Sequence, residues 1–553
     1  MKFNNIDKSQ LLTEIEIFIA RVLSLQNSNP FSKHYGCFDR NFWHFKTIID
    51  FPSATYQQVV LGFSYLYNSN IKTNKFYKSE KLKEVIKSAI LYWCKIQNND
   101  GSQNEYYEND RSFCPTALTT FAISQSYLIL PKIFNEKEKK LIISKLIKAG
   151  NWLSKHEYHS VQNQMIASMI ALNNIWKITK KNKFKTSFNK QKKEILIKQN
   201  NEGWFTEYGG ADIGYSFIQL DFLCHYLELN KDKEILEASK KLIIFVSNFI
   251  HPDGTAGGSY GSRCTQHVMP FPIIYLANKE IIEAGEILKW YIKNKKIGRI
   301  INQNLIDNKY ASYFYFNSYI KFFIENQKYK KKLKSNKIFK DIIVDYKNSG
   351  LLVIKRDFLS IWLNWKKNGI INIYMKDKKI FSDNGYLFQL SNDKIGMTQN
   401  HNNQSKIDIK NYKNNIKIII NGQGGYFNEI MPLEKWIVPF KIFSKYFLKI
   451  NFLSYWFNKK IKKNLVQKQE KSPVFLKRTI DIHSKNIIIK DEINIFKSNL
   501  NFKKIIMAKE VTTTHSPSSR FYQPQNIIEN YHSYKVVKSN NKYSFKHNID
   551  LKC

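Results

Sequence analysis

The stretch Asn200–Tyr226, NNEGWFTEYGGADIGYSFIQLDFLCHY, joins a polar, glycine-rich loop to a long apolar segment. The loop carries groups that can do acid–base chemistry, among them Glu207, Tyr208 and Tyr215. From Tyr215 onward, apolar residues recur at three- and four-residue spacing, which predicts a buried helix. The loop therefore delivers its polar side chains to the N-terminal end of a helix, where unpaired backbone N–H groups favour anions.

Similar loops recur along the first half of the chain, as QNNDGS at 97–102 and HPDGTAGGSY at 251–260, each followed by a helical pattern. The patterns are spaced by about 50–60 residues, which is room for two helices and two connections. A chance recurrence of Asn-Gly loops in an asparagine-rich chain is the alternative. The repeat predicts helical hairpins that close into an α/α toroid. Its inner helices are predicted to begin near Ala54, Thr116, Met165, Tyr215 and His267.

The composition predicts two or three domains with ample apolar cores in a chain of 553 residues. There are 87 Lys and Arg residues against 45 Asp and Glu, a formal charge of +42. Such a charge suits an acidic partner such as nucleic acid, a membrane surface or an acidic polysaccharide, or else reflects a drift toward Lys, Asn and Ile. Because the chain has no arginine-rich arm or familiar nucleic-acid motif, we favour drift and expect no nucleic-acid partner. The residual positive potential would still help an acidic substrate approach.

Targeting and redox signals are sparse. The N-terminal segment predicts an amphipathic helix rather than a signal peptide, so the compartment stays open, with the cytoplasm slightly favoured over the periplasm or secretion. The chain has no apolar run of about 18 residues, so we expect no membrane span. Its six cysteines form no C-x-x-C pair, which predicts free thiols and no zinc site. We expect no metal and no cofactor, and the oligomeric state is not indicated.

The hydrophobic period divides the chain. Residues 1–328 show helical periodicity and are assigned to the toroid, and the lysine-rich segment 329–348 is assigned to a linker. Residues 349–553 show short alternating runs separated by Asn, Asp and Gly, which predicts an antiparallel β-sandwich. The aromatic and basic segment 432–469 interrupts these strands and is interpreted as an insertion or a helical excursion.

Two segments carry a resemblance to a known family. SGLLVIKRDFLSIWLNW at 349–365 and IFSDNGY at 380–386 resemble strands of the heparinase II/III-like C-terminal domain. With the toroid before them, they make the chain similar to the heparinase II/III and chondroitin/alginate lyase group of polysaccharide lyases. The resemblance implies β-elimination on an acidic, uronate-containing glycan. That reaction needs a base for the proton α to the carboxylate, a group that neutralises the carboxylate, and an acid for the leaving oxygen.

The same resemblance implies a set of catalytic residues. Tyr215 in GADIGYS matches the tyrosine that serves as base and acid, and its pKa, about 10 when free, is expected to be lowered by neighbouring cations. Asn163 matches the asparagine that contacts the carboxylate, and Arg263 matches an arginine one hairpin later. His267 lies within reach of the same rim. The structural alternatives are that Tyr215 packs between hairpins, that Asn163 caps a helix, and that Arg263 forms an ion pair.

Glu207 departs from the family pattern, which has a histidine soon after this loop. A carboxylate there would repel a uronate, unless His267 or His159 takes the histidine's role. Aromatic and charged residues of the loops are candidates for binding the sugar: Trp204, Glu207, Tyr208, Tyr260, Arg111 and Tyr107.

Two other functions remain open at this point. A non-catalytic carbohydrate-binding or assembly protein of a surface-polysaccharide pathway would use the same aromatic residues for stacking. A terpene cyclase or prenyltransferase-like α/α barrel is the third possibility, because QNNDGS and QNNEGW resemble the Q-x-x-D-G-x-W repeat of those enzymes. The acidic motifs of that group are missing from the sequence, and the sandwich is foreign to it. Convergence of Tyr215, Asn163, Arg263 and His267 on one point would favour a lyase.

Overall fold

The structure is a computed structural model that describes residues 8–45, 49–301, 303–329, 341–399, 405–411, 415–426, 435–461, 470–497, 499–508, 534–539 and 542–551. Helices fill the first part of the chain. They are α1 Lys8–Leu23, α2 Val60–Asn68, α3 Glu80–Ile96, α4 Phe113–Ile129, α5 Glu136–Leu153, α6 Gln162–Thr179, α7 Asn182–Ile197, α8 Ile213–Leu229, α9 Lys233–Ser247, α10 Pro270–Asn278, α11 Ile282–Lys296, α12 Asn308–Tyr310 and α13 Phe316–Lys328.

Six helices form a closed inner ring, in which α2, α4, α6, α8, α10 and α13 each contact the next and α13 contacts α2. The inner helices are buried on most sides, and α8 is buried at every position from Ile213 to Leu227. The outer helices are amphipathic instead. In α3, for example, Leu82, Ile86 and Trp93 are buried at helical spacing while the lysines face outward. The predicted toroid is confirmed.

The inner helices begin close to the residues predicted from the repeat. A 3₁₀ turn at Ala54–Val59 leads into α2, and α4, α6, α8 and α10 begin at residues 113, 162, 213 and 270. The sixth inner helix, α13, was not predicted. It follows the aromatic segment ASYFY at 311–315, and it lacks the glycine-rich loop that precedes α4, α8 and α10.

Two antiparallel sheets follow the toroid. The first has the order β1-β2-β3-β4-β5, and the second has the order β12-β6-β7-β9-β10-β11-β14-β13, with β8 paired to β9. Strand β1 falls inside the segment assigned to the linker, of which residues 330–340 lie outside the described part of the chain. The strands are β1 Ile342–Tyr346, β2 Leu351–Arg356, β3 Leu359–Asn364, β4 Ile370–Met375, β5 Lys378–Asp383, β6 Tyr386–Leu390, β7 Ile395–Met397, β8 Lys406–Asn411, β9 Ile416–Tyr426, β10 Glu470–Ile482, β11 Asn486–Ile495, β12 Phe502–Met507, β13 Tyr534–Ser539 and β14 Lys542–Asp550.

The first sheet is buried on both faces, which explains the unbroken apolar run in β2. Leu351 and Val353 join the core of the toroid, whereas Leu352 and Ile354 join the core shared with the second sheet. A strand covered on both sides reads as a continuous apolar run rather than an alternation. The sheet therefore packs directly on the toroid, on the side of the loop at 248–264.

The described part of the interrupting segment, residues 435–461, is helical, in agreement with the interpretation from the sequence. It contains α14 Ile437–Ile442 and α15 Asn451–Ile461, and it packs on the loop at 97–111. We call residues 435–461 the helical insertion. Within the part of the chain that the structure describes, no helix is both long enough and apolar enough to cross a membrane. The five described cysteines are all free thiols, and Cys553 lies outside the described residues.

Candidate active site

The N-terminus of α8 is tied to the next hairpin by Asp212. Its side chain caps the helix by accepting a hydrogen bond from the Tyr215 backbone N–H at 3.1 Å. It also accepts from the Arg263 backbone N–H at 2.9 Å and from the Thr265 hydroxyl. The approach requires glycine at 214, because a Cβ there would lie 2.2 Å from Thr265 Oγ1. Asp212 thus brings the residues at 213–215 and 261–265 together.

Arg263 lies at the centre of the site. Its guanidinium carbon is 3.9 Å from the ring centroid of Tyr215 and 5.0 Å from that of Tyr208, so the cation contacts two aromatic faces. Its Nη1 lies 3.5 Å from Glu207 Oε2. The Arg263 side chain is only 11% exposed, so these contacts replace much of the water around its charge.

Glu207 is fully buried and joins the arginine to the start of α6. Its Oε1 accepts from Asn163 Nδ2 at 2.8 Å and from Gln219 Nε2 at 2.9 Å. Burial raises the pKa of Glu207 to about 7, although Arg263 and Asn163 act in the opposite direction. Near neutral pH the group therefore exists in both charged and uncharged forms. The uncharged form would not repel a uronate.

Tyr215 is almost completely buried, at 5% exposure, and burial raises its pKa well above the usual value while Arg263 opposes the rise. The expected lowering of this pKa is therefore wrong for the structure, because desolvation of the phenolate outweighs the nearby cation. His267 lies edge-on to the Tyr215 ring at 5.7 Å, and its Nδ1 is 3.0 Å from the Tyr315 hydroxyl. Burial, reinforced by Arg263, lowers the pKa of His267 to about 3, so its imidazole is neutral.

The structure thus brings Asn163, Tyr215, Arg263 and His267 to one region. His159 lies in the loop before α6, its side chain is 40% exposed, and its Nε2 hydrogen-bonds Glu157 at 2.8 Å. The side chain that holds Asn163 is Glu207.

Two of the aromatic candidates for stacking on sugar are buried instead. Trp204 is 6% exposed and its Nε1 donates to Glu202 at 2.8 Å. Tyr260 is fully buried, and its hydroxyl lies 2.8 Å from His251 Nε2. Neither ring is exposed enough in this structure to stack on a sugar, so sugar binding by Trp204 and Tyr260 stays a prediction. Tyr208 is half-buried and remains beside Arg263.

Tyr107 and Arg111 attach the helical insertion to the toroid. The Tyr107 ring packs edge-on against Phe440 at 5.2 Å. Arg111 donates from Nη2 to the Lys449 carbonyl at 3.0 Å and pairs with Asp100 at 2.9 Å. In this structure both residues therefore have a structural role, and substrate binding by them stays a prediction. The sequence gave no sign of this contact, because its two sides lie more than 300 positions apart.

Sequence reasoning also missed residues that shape the site. Gln219 follows Tyr215 by four positions, one helical turn, and that spacing could have identified it. Asp212 has the position of a helix cap, three residues before Tyr215. Tyr310 and Cys114 are close enough for their charges to raise the pKa of Tyr215, and no sequence spacing connects them to it.

A possible metal-binding group lies outside this cluster. Among the described residues, Glu157, His159 and Glu194 place ligand atoms within 4.8 Å of one another. Lys190 Nζ lies 2.6 Å from Glu157 and already supplies a positive charge there.

Comparison with known proteins gives a consistent fold. Residues 71–268 match the family model of the ulvan lyase N-terminal domain. This range contains Asn163, Glu207, Tyr215 and Arg263. No curated protein matches the chain in sequence.

The solved structures with a similar fold include two lyases. A Paenibacillus xanthan lyase has a TM-score of 0.52 at 8% identity, and the match covers 100% of this chain and 58% of the xanthan lyase. Streptomyces coelicolor A3 chondroitin AC lyase has a TM-score of 0.51 at 8% identity, with 98% of this chain and 80% of that one covered. Because these sequence identities are so low, the structural likeness shows the fold alone. The predicted order of an α/α toroid followed by antiparallel sheets is confirmed.

Proposed function

We propose that this chain, which has the family signature and the fold of the polysaccharide lyases, cleaves an acidic, uronate-containing glycan by β-elimination. The observation that carries the proposal is the chain of contacts through Arg263. Its guanidinium lies 3.9 Å from the Tyr215 ring and 3.5 Å from Glu207, which in turn holds Asn163 at 2.8 Å. The Tyr215 hydroxyl, which we propose transfers the proton, the Arg263 cation and the Asn163 amide therefore lie together near the N-terminus of α8.

Asn163, Arg263 and uncharged Glu207 are the groups that neutralise the substrate carboxylate in this proposal. The asparagine amide and the protonated Glu207 donate hydrogen bonds, and the guanidinium supplies positive charge. These interactions strengthen as the enolate develops, which is when they lower the barrier. In this proposal Glu207 takes the role of the histidine of related lyases, and it must be protonated to donate a hydrogen bond to the substrate carboxylate.

Tyr215 transfers the proton. Its phenolate takes the proton from the carbon α to the carboxylate, and the resulting phenol returns it to the glycosidic oxygen as the C–O bond breaks. The products are a new reducing end and an unsaturated uronate, so atoms and charge balance within the tyrosine. Burial favours the phenol and Arg263 favours the phenolate.

The test is to incubate the full chain with ulvan, xanthan, chondroitin sulfate, heparan sulfate and alginate and follow the ultraviolet absorbance of the unsaturated uronate. We expect product from at least one glycan. Tyr215→Phe should reduce turnover by about 10²–10⁴ with the sugar still bound. The matched control is Tyr275→Phe on α10, which should retain parental turnover. Absence of product from every glycan would overturn the proposal, and an active Tyr215→Phe would overturn the role of Tyr215.

The proposed roles give two opposite pH effects. Turnover should rise with pH because a larger fraction of Tyr215 is then ionised to the phenolate. Apparent affinity should fall as pH passes about 7, because Glu207 then becomes a buried carboxylate facing a uronate. Separate measurement of kcat and KM against pH distinguishes these effects, and Glu207→Gln should remove the second.

The buried state of Trp204 and Tyr260 counts against a purely carbohydrate-binding protein, since stacking needs exposed rings. Binding of a glycan without product formation would be the result that favours that function.

A further inference from the structure

The helical insertion has an unusual composition. Residues 435–461, KWIVPFKIFSKYFLKINFLSYWFNKKI, contain six lysines and no acidic residue. Apolar residues, many of them aromatic, fill most of the remaining positions. Amphipathic helices of this kind, with lysines beside large apolar side chains, are typical of segments that lie in a membrane interface.

One face of the helical insertion packs against the toroid. Ser444 and Leu448, four residues apart in the turn that follows α14, are buried, and so is Ser454 in α15. Asn109 Nδ2 donates to the Ser444 carbonyl at 3.1 Å, and the Ser454 hydroxyl donates to the Asn109 carbonyl at 2.7 Å. The two helices are therefore held in a fixed orientation on the loop at 97–111.

The opposite face is exposed although it is apolar. Seven large apolar side chains of the insertion are at least 52% exposed. They are Trp436, Val438, Ile442, Tyr446, Phe447, Ile450 and Phe452. Soluble proteins rarely display so many large apolar groups together without a binding partner.

We propose that this face of the helical insertion binds an anionic lipid surface. The exposed rings and aliphatic chains would enter the boundary between headgroups and acyl chains, while the lysines contact lipid phosphates. The lysines are interleaved with the apolar groups, and Lys460 Nζ lies 4.2 Å from the Trp456 ring centroid.

Charge and chemistry favour lipid over other occupants. Val438, Ile442 and Ile450 have no ring to stack on a sugar, which argues against a glycan. Asp50 lies 3.6 Å from Lys441, and Glu108 lies near Lys445 and Lys449. A second copy of the chain would still bring six more lysines to the same face, so the excess of positive charge opposes self-association there. An anionic bilayer satisfies both the positive charge and the apolar surface. This inference is independent of the proposed catalytic activity.

The test is co-sedimentation of the full chain with vesicles of phosphatidylcholine alone or mixed with phosphatidylglycerol. We expect binding to the mixed vesicles that weakens with added salt, and little binding to phosphatidylcholine. The triple variant Lys441→Gln, Lys445→Gln, Lys449→Gln should bind about 100-fold more weakly. The double variant Trp436→Ser, Phe452→Ser should lose the salt-resistant part of the binding.

Matched controls lie on the outer helices and on distant loops. Lys193→Gln, Lys198→Gln and Lys240→Gln remove the same charge from exposed positions, and Phe31→Ser with Phe358→Ser removes exposed rings. These controls should bind anionic vesicles nearly as the parent does. Circular dichroism melting confirms that each variant is folded.

Three results would overturn the proposal. One is equal vesicle binding by the insertion variants and the controls. The second is insertion-dependent binding to a soluble acidic glycan without vesicle binding. The third is a dimer in sedimentation that the double variant abolishes, which would assign the face to a second copy.

Discussion

Replacement of Glu207 by glutamine isolates the free-energy cost of burying the charged Glu207 carboxylate. Gln at this position can still accept from Asn163 and Gln219, whose donors lie 2.8 and 2.9 Å from Oε1. It cannot ionise, and it keeps the size of the side chain. The variant therefore removes one titration and leaves most of the packing unchanged.

The magnitude follows from the pKa of Glu207, which rises from 4.5 in a free carboxyl to about 7 in the folded chain. A raised carboxyl pKa means that the folded state binds more protons than the unfolded state between these values. The free energy of unfolding of the parent must then fall as pH rises through this window. The full loss is about 3 kcal/mol. With about 2 cal/mol/K of unfolding entropy per residue, it corresponds to a shift of about 5 °C for a toroid of this size.

The assay is the melting temperature of parent and Glu207→Gln, measured from about pH 5 to about pH 8 by intrinsic fluorescence. The melting temperature of the variant minus that of the parent should increase by several degrees over this range. The control is Glu237→Gln, whose side chain is 56% exposed and should give a constant difference. A constant difference for Glu207→Gln as well would refute a raised pKa, and with it the uncharged Glu207 on which the proposed carboxylate site depends.

Gly214→Ala should destabilise the toroid by about 1–3 kcal/mol, since the new Cβ would lie 2.2 Å from Thr265 Oγ1; urea unfolding measures this, and Gly285→Ala, with open space around its Cβ, is the helical control that should not destabilise. Arg478→Met should cost about 3–5 kcal/mol in the same assay, because it leaves the buried Asp383 and Asp491 without their cation; an unchanged midpoint would contradict it. In native protein, Cys114 should react with a thiol reagent before the other four described cysteines, which are buried; peptide mapping identifies the order, and faster labelling of a buried thiol would contradict the burial.

The repeated pattern of loop and helix and the change of hydrophobic period along the chain predicted most of the fold. Glycine-rich loops marked three inner helices, α4, α8 and α10, apolar patterns at similar spacing marked α2 and α6, and alternating runs marked the sheets. The sixth inner helix lacked such a loop. The unbroken apolar run of β2 identified a buried strand but could not reveal that one of its faces covers the toroid, because burial on both faces is a tertiary property.

The sequence identified residues that come together at the candidate site, but it did not predict how the pKa of Tyr215 shifts there. Tyr215 and Arg263 lie in contact, as adjacent hairpins of a toroid allow. The direction of the Tyr215 pKa was wrong, since a sequence shows the neighbouring cation but not the degree of burial. Trp204 and Tyr260 were assigned to sugar binding for the same reason, because an aromatic residue in a loop can face either the solvent or the core.

The ring closes through Asn317, whose Oδ1 accepts from the Gly62 N–H at 2.8 Å and whose Nδ2 donates to the Gln58 carbonyl at 3.1 Å. These partners are 255 positions apart for the first bond. During synthesis, α13 becomes available to α2 only after nearly the whole toroid has been made. The side of α2 that faces α13 stays uncovered until then, and we expect it to be prone to aggregation during that time.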